Sequence, residues 1–179
     1  SPSIICNDTV LQLDANGLAS ITAENLGKGS GDACGIDFMN ISKTNFSCED
    51  IGINLDTLIV TDVNGNSSVC VATITVEDTI IPTAVAHDTT LYLGLNGLAF
   101  LTATSVDAGS ADNCGVASVI NDYNNTADAS DIYPVGTTTI TWTVSDAAGN
   151  TATCSFDVTV EDNEPPTVIT QAVTVQLDA

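Results

Sequence analysis

Residues 137–160 read TTTITWTVSDAAGNTATCSFDVTV. From Thr137 to Ser145, threonine alternates with Ile140, Trp142 and Val144. A period of two sends every second side chain to the same face, so the stretch reads as a half-buried strand. Asp146 to Asn150 then supplies Asp, Gly and Asn, the residues that turns favour. From Ala152 to Val160 a second strand follows, so the whole is a β-hairpin.

The rest of the chain repeats this unit. Asp62-Val63-Asn64-Gly65-Asn66, followed by Cys70, recurs as Asp146-Ala147-Ala148-Gly149-Asn150 and Cys154. Asp32-Ala33-Cys34-Gly35 recurs as Asp112-Asn113-Cys114-Gly115, and Val76-Glu77-Asp78 recurs as Val160-Glu161-Asp162. Val173 to Ala179 matches Thr9 to Ala15, the start of the first copy. The reading is therefore residues 1–80 as one module, 81–164 as a second, and 165–179 as the first strand of a third. An insertion at Asn121–Asp131 reads as a polar surface loop. Asn16-Gly17 and Asn96-Gly97, each between alternating leucines, read as hairpin turns, because such turns need positive φ. No segment carries an apolar stripe at helical spacing. The fold class expected is all-β, with tandem Ig-like β-sandwich modules in a linear array.

Composition narrows the partners. Among 179 residues there are 2 Lys+Arg against 23 Asp+Glu, a formal charge of −21. Phosphate backbones and anionic membrane surfaces draw their affinity from Lys and Arg, so nucleic acid and membrane insertion are set aside. The start, Ser1-Pro2-Ser3, has no basic leader segment and reads as a mature or excised stretch. Six cysteines without a CxxC, and one histidine far from any of them, argue against zinc and for disulfides in an oxidising compartment.

Comparing the copies suggests a pairing. Cys34 and Cys70 persist as Cys114 and Cys154, whereas Cys6 and Cys48 become Ala86 and Ile132. Residues kept together and lost together give Cys34–Cys70, Cys114–Cys154 and Cys6–Cys48, each contributing about 3–4 kcal/mol by loop closure. One tension stands in this set: Cys6 opens the first strand, while Cys48 precedes a strand that starts at the opposite pole.

The acids at the joint between modules form the candidate metal site. Glu77 and Asp78, with Glu161 and Asp162 in the second copy, sit where one module passes to the next. The loop with Asp107, Asp112 and Asn113 and the turn with Asp146 and Asn150 should lie beside the linker that precedes their module. Converging carboxylates are the hard-oxygen set that calcium takes, so Ca2+ is the expected cofactor. The bland alternative is a turn plus a solvated linker. Trp142 stands where Leu58 stands in the first copy and reads as core. His87 stands where Asn7 stands and reads as merely polar. With one imidazole and no assembled nucleophile, base and orienter, no catalytic residue is assigned and the chain reads as non-enzymatic.

The run Tyr133 to Val160, with its Pro134-Val135-Gly136 corner, Asp-x-x-Gly-Asn turn and following cysteine, resembles the HYR family of Ig-like repeats. With Leu13 to Ile21 and the Asp-x-Cys-Gly step, the chain resembles repeats of giant surface adhesins of Bacteroidota-type bacteria, some serving gliding motility. That resemblance implies an extracellular place at the bacterial cell surface. It implies a stalk or filament-shaft role, with neighbouring repeats of the same long chain and lateral copies as partners. A calcium-dependent glycan- or protein-binding module, or an accessory region of a large secreted enzyme, are the alternatives. The same resemblance implies O-glycans at Asp-Thr steps, namely Thr9, Thr57, Thr79 and Thr89, with Thr79 in the linker the most accessible.

Overall fold

The computed structural model describes residues 1–102 and 109–176. Its first half holds β1 (Thr9–Gln12), β2 (Leu18–Ser20), a four-residue helix α1 (Ala23–Leu26), β3 (Ile36–Ile41), β4 (Asn45–Ser47), β5 (Gly52–Asp62) and β6 (Ser67–Glu77). The second holds β7 (Thr89–Tyr92), β8 (Ala99–Phe100), β9 (Val116–Asn121), β10 (Ile132–Tyr133), β11 (Gly136–Asp146) and β12 (Thr151–Glu161). Four-stranded sheets run β1-β6-β5-β3 and β7-β12-β11-β9, with small sheets β2-β4 and β8-β10. The long hairpins are the quoted stretch and its earlier copy, closed by Asp62 N–H to Asn66 O at 2.9 Å and Asp146 N–H to Asn150 O at 3.1 Å.

Each module buries the alternate face that its sequence marks. Leu58, Val60, Ala72, Ile74 and Val76 pack against Leu13, Ile21, Leu26 and Phe46. In the second module Ile140, Trp142, Phe156, Val158 and Val160 pack against Ala99, Leu101, Ala129 and Tyr133. Trp142 fills the place of Leu58, edge-on to Phe156 with ring centroids 5.3 Å apart. The fold is an all-β sandwich architecture, repeated twice.

Three expectations are corrected. Asn16-Gly17 is not a hairpin turn: β1 pairs in parallel with β6, while β2 pairs with β4, so the turn crosses between layers. Only Gly17 has positive φ, +71°, and the same holds at Gly97 with +73°. The loop after β9 is not simply a surface loop. Buried Asn121 donates to Thr126 O and Asp128 O at 2.9 Å each and accepts from the N–H groups of Tyr123 and Asn124. Ala129 is fully buried, and Tyr133 donates to its carbonyl at 2.6 Å. A loop this bonded is anchored inward. Finally, residues 162–176 lie in no strand and are exposed. Both β1 and β7 take their ladder from the last strand of their own module; among the described residues Val173–Gln176 pairs with none, and residues 177–179 of the expected third strand lie outside them.

The cysteine pairing also differs. Cys6 bonds Cys70, with Cα atoms 6.1 Å apart, because β1 lies parallel beside β6 and carries its leading residues to that edge. Cys34–Cys70, Cys114–Cys154 and Cys6–Cys48 do not form. Cys48 bonds Cys114 instead, with Cα atoms 5.4 Å apart, across the two modules.

Candidate cation site at the module junction

The junction is assembled from five local structures, each dictated by a few residues. A short 3-10 turn, Cys48–Asp50, follows β4 and is capped by Ser47, whose side chain and backbone N–H pair with Glu49 and Asp50. That capping box fixes where Cys48 points. The second module answers with the loop Asp112–Gly115, where the Asp112 carboxylate accepts from Cys114 N–H at 2.8 Å and Gly115 turns at φ +93°. The two cysteines meet there as a disulfide.

Gly17 packs directly on that bond. A Cβ at Gly17 would lie 2.5 Å from Cys48 Sγ and 3.1 Å from Asn113 O. Real Cβ atoms do not come this close, so the crossover turn must carry glycine for the modules to seat. Asn113 completes the seat from its own side, donating to Asp14 O at 3.2 Å and to the Asp78 carboxylate at 3.3 Å.

Beside the disulfide, oxygen atoms converge. Carboxylate oxygens of Asp78, Asp112 and Asp146 all lie within 4.8 Å of one another. Asp78 comes from the linker after β6, Asp112 from the loop before β9, and Asp146 from the end of β11. Asp78 and Asp146 are buried, at 5% and 4% exposure. Asp146 is secured by Asn150, whose backbone and side-chain N–H groups donate at 2.8 and 2.7 Å. Burial pushes the Asp146 carboxyl upward, but the bonds from Asn150, Gly149 and Ala148 outweigh it and hold it below the usual carboxylate range. Asn150 also reaches across the junction to Asp78 O at 3.0 Å.

What the cluster lacks is a donor set to match its acceptors. Asp78 Oδ2, Asp112 Oδ1 and Asn113 Oδ1 are buried without any hydrogen-bond partner among the described residues. Burying acceptors, let alone charged ones, without partners costs several kcal/mol each. The described ion pair of the chain, Lys43 with Asp50, lies on the first module's own capping turn. Oxygens sharing one calcium ion at roughly 2.3–2.6 Å can be at most about 5 Å apart. The three carboxylates meet that limit, and their donor chemistry is hard oxygen throughout.

Of the residues named from sequence, Asp78, Asp112, Asp146 and Asn150 come together. Glu77 points to solvent, where Gln12 donates to it at 2.7 Å, and Glu161, the last residue of β12, and Asp162 after it are exposed. Asp107 lies outside the described residues. Asn113, named with the same loop, joins them through its side-chain bond to Asp78. Thr79 is exposed at the junction and donates to Gln12 at 3.2 Å, whereas Thr9, Thr57 and Thr89 are half-buried in strands.

Known proteins add the following. The chain is similar over 91% of its length to human protocadherin-24 EC1-2, at 12% identity and a TM-score of 0.39. It is similar over 96% to fibronectin(III)-like modules of CbhA from Clostridium thermocellum, at 11% identity and a TM-score of 0.33. These similarities carry no argument about this chain. In sequence, 124 residues are 33% identical to hyalin of Strongylocentrotus purpuratus, spanning 66% of this chain and 10% of hyalin. Residues 101–160, which hold β9 to β11, nearly all of β12 and the Asp146–Asn150 turn, match the HYR domain.

Proposed function

We propose that the chain is a stiff structural segment of an extracellular adhesive stalk, whose modules are locked to each other by one disulfide and one calcium ion. The observation that carries the reading is the set of three partnerless buried oxygens at the junction, beside a disulfide that joins the modules. A flexible spacer has no use for either. Asp78, Asp112 and Asp146 hold the ion, with Asn113 supplying a neutral oxygen. Its charge offsets the mutual repulsion of carboxylates drawn from both modules. Disulfides support an oxidising, extracellular place. Placement on a bacterial surface, lateral bundling of copies and a sugar at Thr79 belong to the same proposal, supported by the acidic repeat and by Thr79's exposure.

The test is calorimetric titration of the chelator-stripped protein with CaCl2, repeated on Asp78→Asn/Asp112→Asn. The expected result is one saturable site in the native chain, a higher Tm with calcium, and neither effect in the variant. Equal Tm and no binding heat in calcium and in chelator would overturn the cation. Equal interdomain flexibility by small-angle scattering after reduction and chelation would overturn the stiffening role.

A further inference from the structure

Apart from Ala33 in the place of Asn113, the amino-terminal pole of the first module repeats the surface by which the second module is locked to its predecessor. Asp32 accepts from Cys34 N–H at 2.9 Å, as Asp112 does from Cys114 at 2.8 Å. Gly35 turns at φ +103° and Gly115 at +93°. The leading strand segments bridge alike, Ser3 with Gly31 and Thr83 with Ala111. Asp62 is held by Asn66 as Asp146 is by Asn150. Two differences stand: Ala33 takes the place of Asn113, so the side-chain bonds to the Asp14 carbonyl and the Asp78 carboxylate have no counterpart, and Cys114 is bonded to Cys48, whereas Cys34 is an exposed free thiol.

We infer that this pole is a docking surface for the carboxy-terminal pole of another module of the first type, and that Cys34 forms a disulfide with that module's cysteine at the position of Cys48. The occupant follows from the interface already present, since the same loop in the second module takes that partner. It also follows which modules cannot serve. Pairing aligns Ile41 with Asn121, Phe46 with Tyr133 and Gly52 with Gly136, so the numbering offset runs 80, 87 and 84. The second module thus has a longer loop before β10 but lacks three residues after it. Pro134-Val135 replaces Ser47–Ile51, and the capped turn that presents Cys48 is gone. Position 132 is therefore not the counterpart of Cys48. A module of the second type offers no sulfur to its successor, so the modules have an order.

Bond formation is a two-electron oxidation. The Cys34 and Cys48-type thiols lose two protons and two electrons to a disulfide oxidant, whose own S–S bond breaks into two thiols. The reading rests on the disulfide and not on calcium, so the two fail separately.

The test fuses an extra first module ahead of the chain, residues 1–81 followed by residues 2–179, so that Pro2 takes the place of Pro82. The upstream copy carries Cys34→Ser, leaving one Cys34 to follow. After refolding with reduced and oxidised glutathione, the protein is alkylated and mapped without reduction. The expected result is a Cys48–Cys34 peptide across the new junction and alkylation of Cys34 at least about tenfold lower than in the original chain, where this exposed thiol reacts. An alkylated Cys34, or one bonded elsewhere, in a fusion whose Cys6–Cys70 and Cys48–Cys114 bonds have formed overturns the inference. A fusion lacking those bonds is replaced by residues 1–83 followed by 4–179, since Ser3 and Thr83 occupy the same bridge, and is judged by the same two outcomes.

Discussion

The two modules share their sheets but fasten them differently. The first ties its leading strand to its last by Cys6–Cys70 and places a carboxylate, Asp56, inside the sandwich. Asp56 accepts from the backbone N–H groups of Ser42, Lys43 and Thr57, and so clamps the short β3–β4 connection. The second module has Ala86 for Cys6 and Ile140 for Asp56. It closes the same region with a longer loop organised by Asn121, and fills its core with Trp142, Phe156 and Tyr133. One module relies on covalent and polar clamps, the other on aromatic volume. Three predictions probe that contrast.

The largest effect is expected from Cys6→Ala/Cys70→Ala. The bond closes a sequence separation of 64 residues, and the loop-closure estimate for such a length is about 4 kcal/mol. Only the first module should lose it. Trp142 is the one tryptophan and reports the second module alone. Calorimetry should show one transition moving down while the fluorescence transition stays. A parallel fall of both would mean that the modules unfold as one unit and the contrast dissolves.

Much of this is legible in the amino-acid sequence. Alternation gave the long hairpin at Thr137–Val160, and repetition gave its earlier copy and Leu58 with Trp142 as one core position. The acids that converge were named because both copies keep them. The disulfides were not legible, for a physical reason. Reasoning from joint retention assumes that partners share a module, whereas Cys48 bonds into the next one. Its absence from the second module concerns the following junction and says nothing about Cys6. The crossover at Asn16-Gly17 was hidden likewise. Turn residues specify a reversal, but not which sheet receives the strand that follows.

Gly17 and Gly97 separate the junction from the turn itself. Both sit at positive φ, where a Cβ costs roughly 1–2 kcal/mol. At Gly97 nothing lies within 4 Å of the added atom, whereas at Gly17 it would press on Cys48 Sγ and the Asn113 backbone. Gly97→Ala should therefore cost about 1–2 kcal/mol. Gly17→Ala should cost about 3, the surplus being overpacking that shifts the seat. Denaturant midpoints measure both. Reducing the Cys48–Cys114 bond should shrink the difference, because a parted junction relieves the clash. Equal costs before reduction would show that the modules are not seated on Gly17.

The smallest effect belongs to Tyr133. It occupies the place of Phe46, so the first module lacks its hydroxyl, and that hydroxyl donates to buried Ala129 O. Tyr133→Phe should cost the second module about 1 kcal/mol at neutral pH, the net worth of one buried hydrogen bond. Its signature lies in alkali. Burial, with smaller contributions from Tyr123, Asp131 and Asp128, pushes the phenol up to about 12 from 10.0. Between those values the unfolded chain has released the proton that the folded chain keeps. Stability is thus complete below pH 10 and falls as pH rises toward 12. Because all three tyrosines, Tyr92, Tyr123 and Tyr133, lie in the second module, the first should show no tyrosine-linked loss. Trp142 fluorescence across denaturant series at pH 9, 10 and 11 measures the slope. Tyr133→Phe should flatten it, and a slope unchanged by that substitution would assign the alkaline loss to some other group.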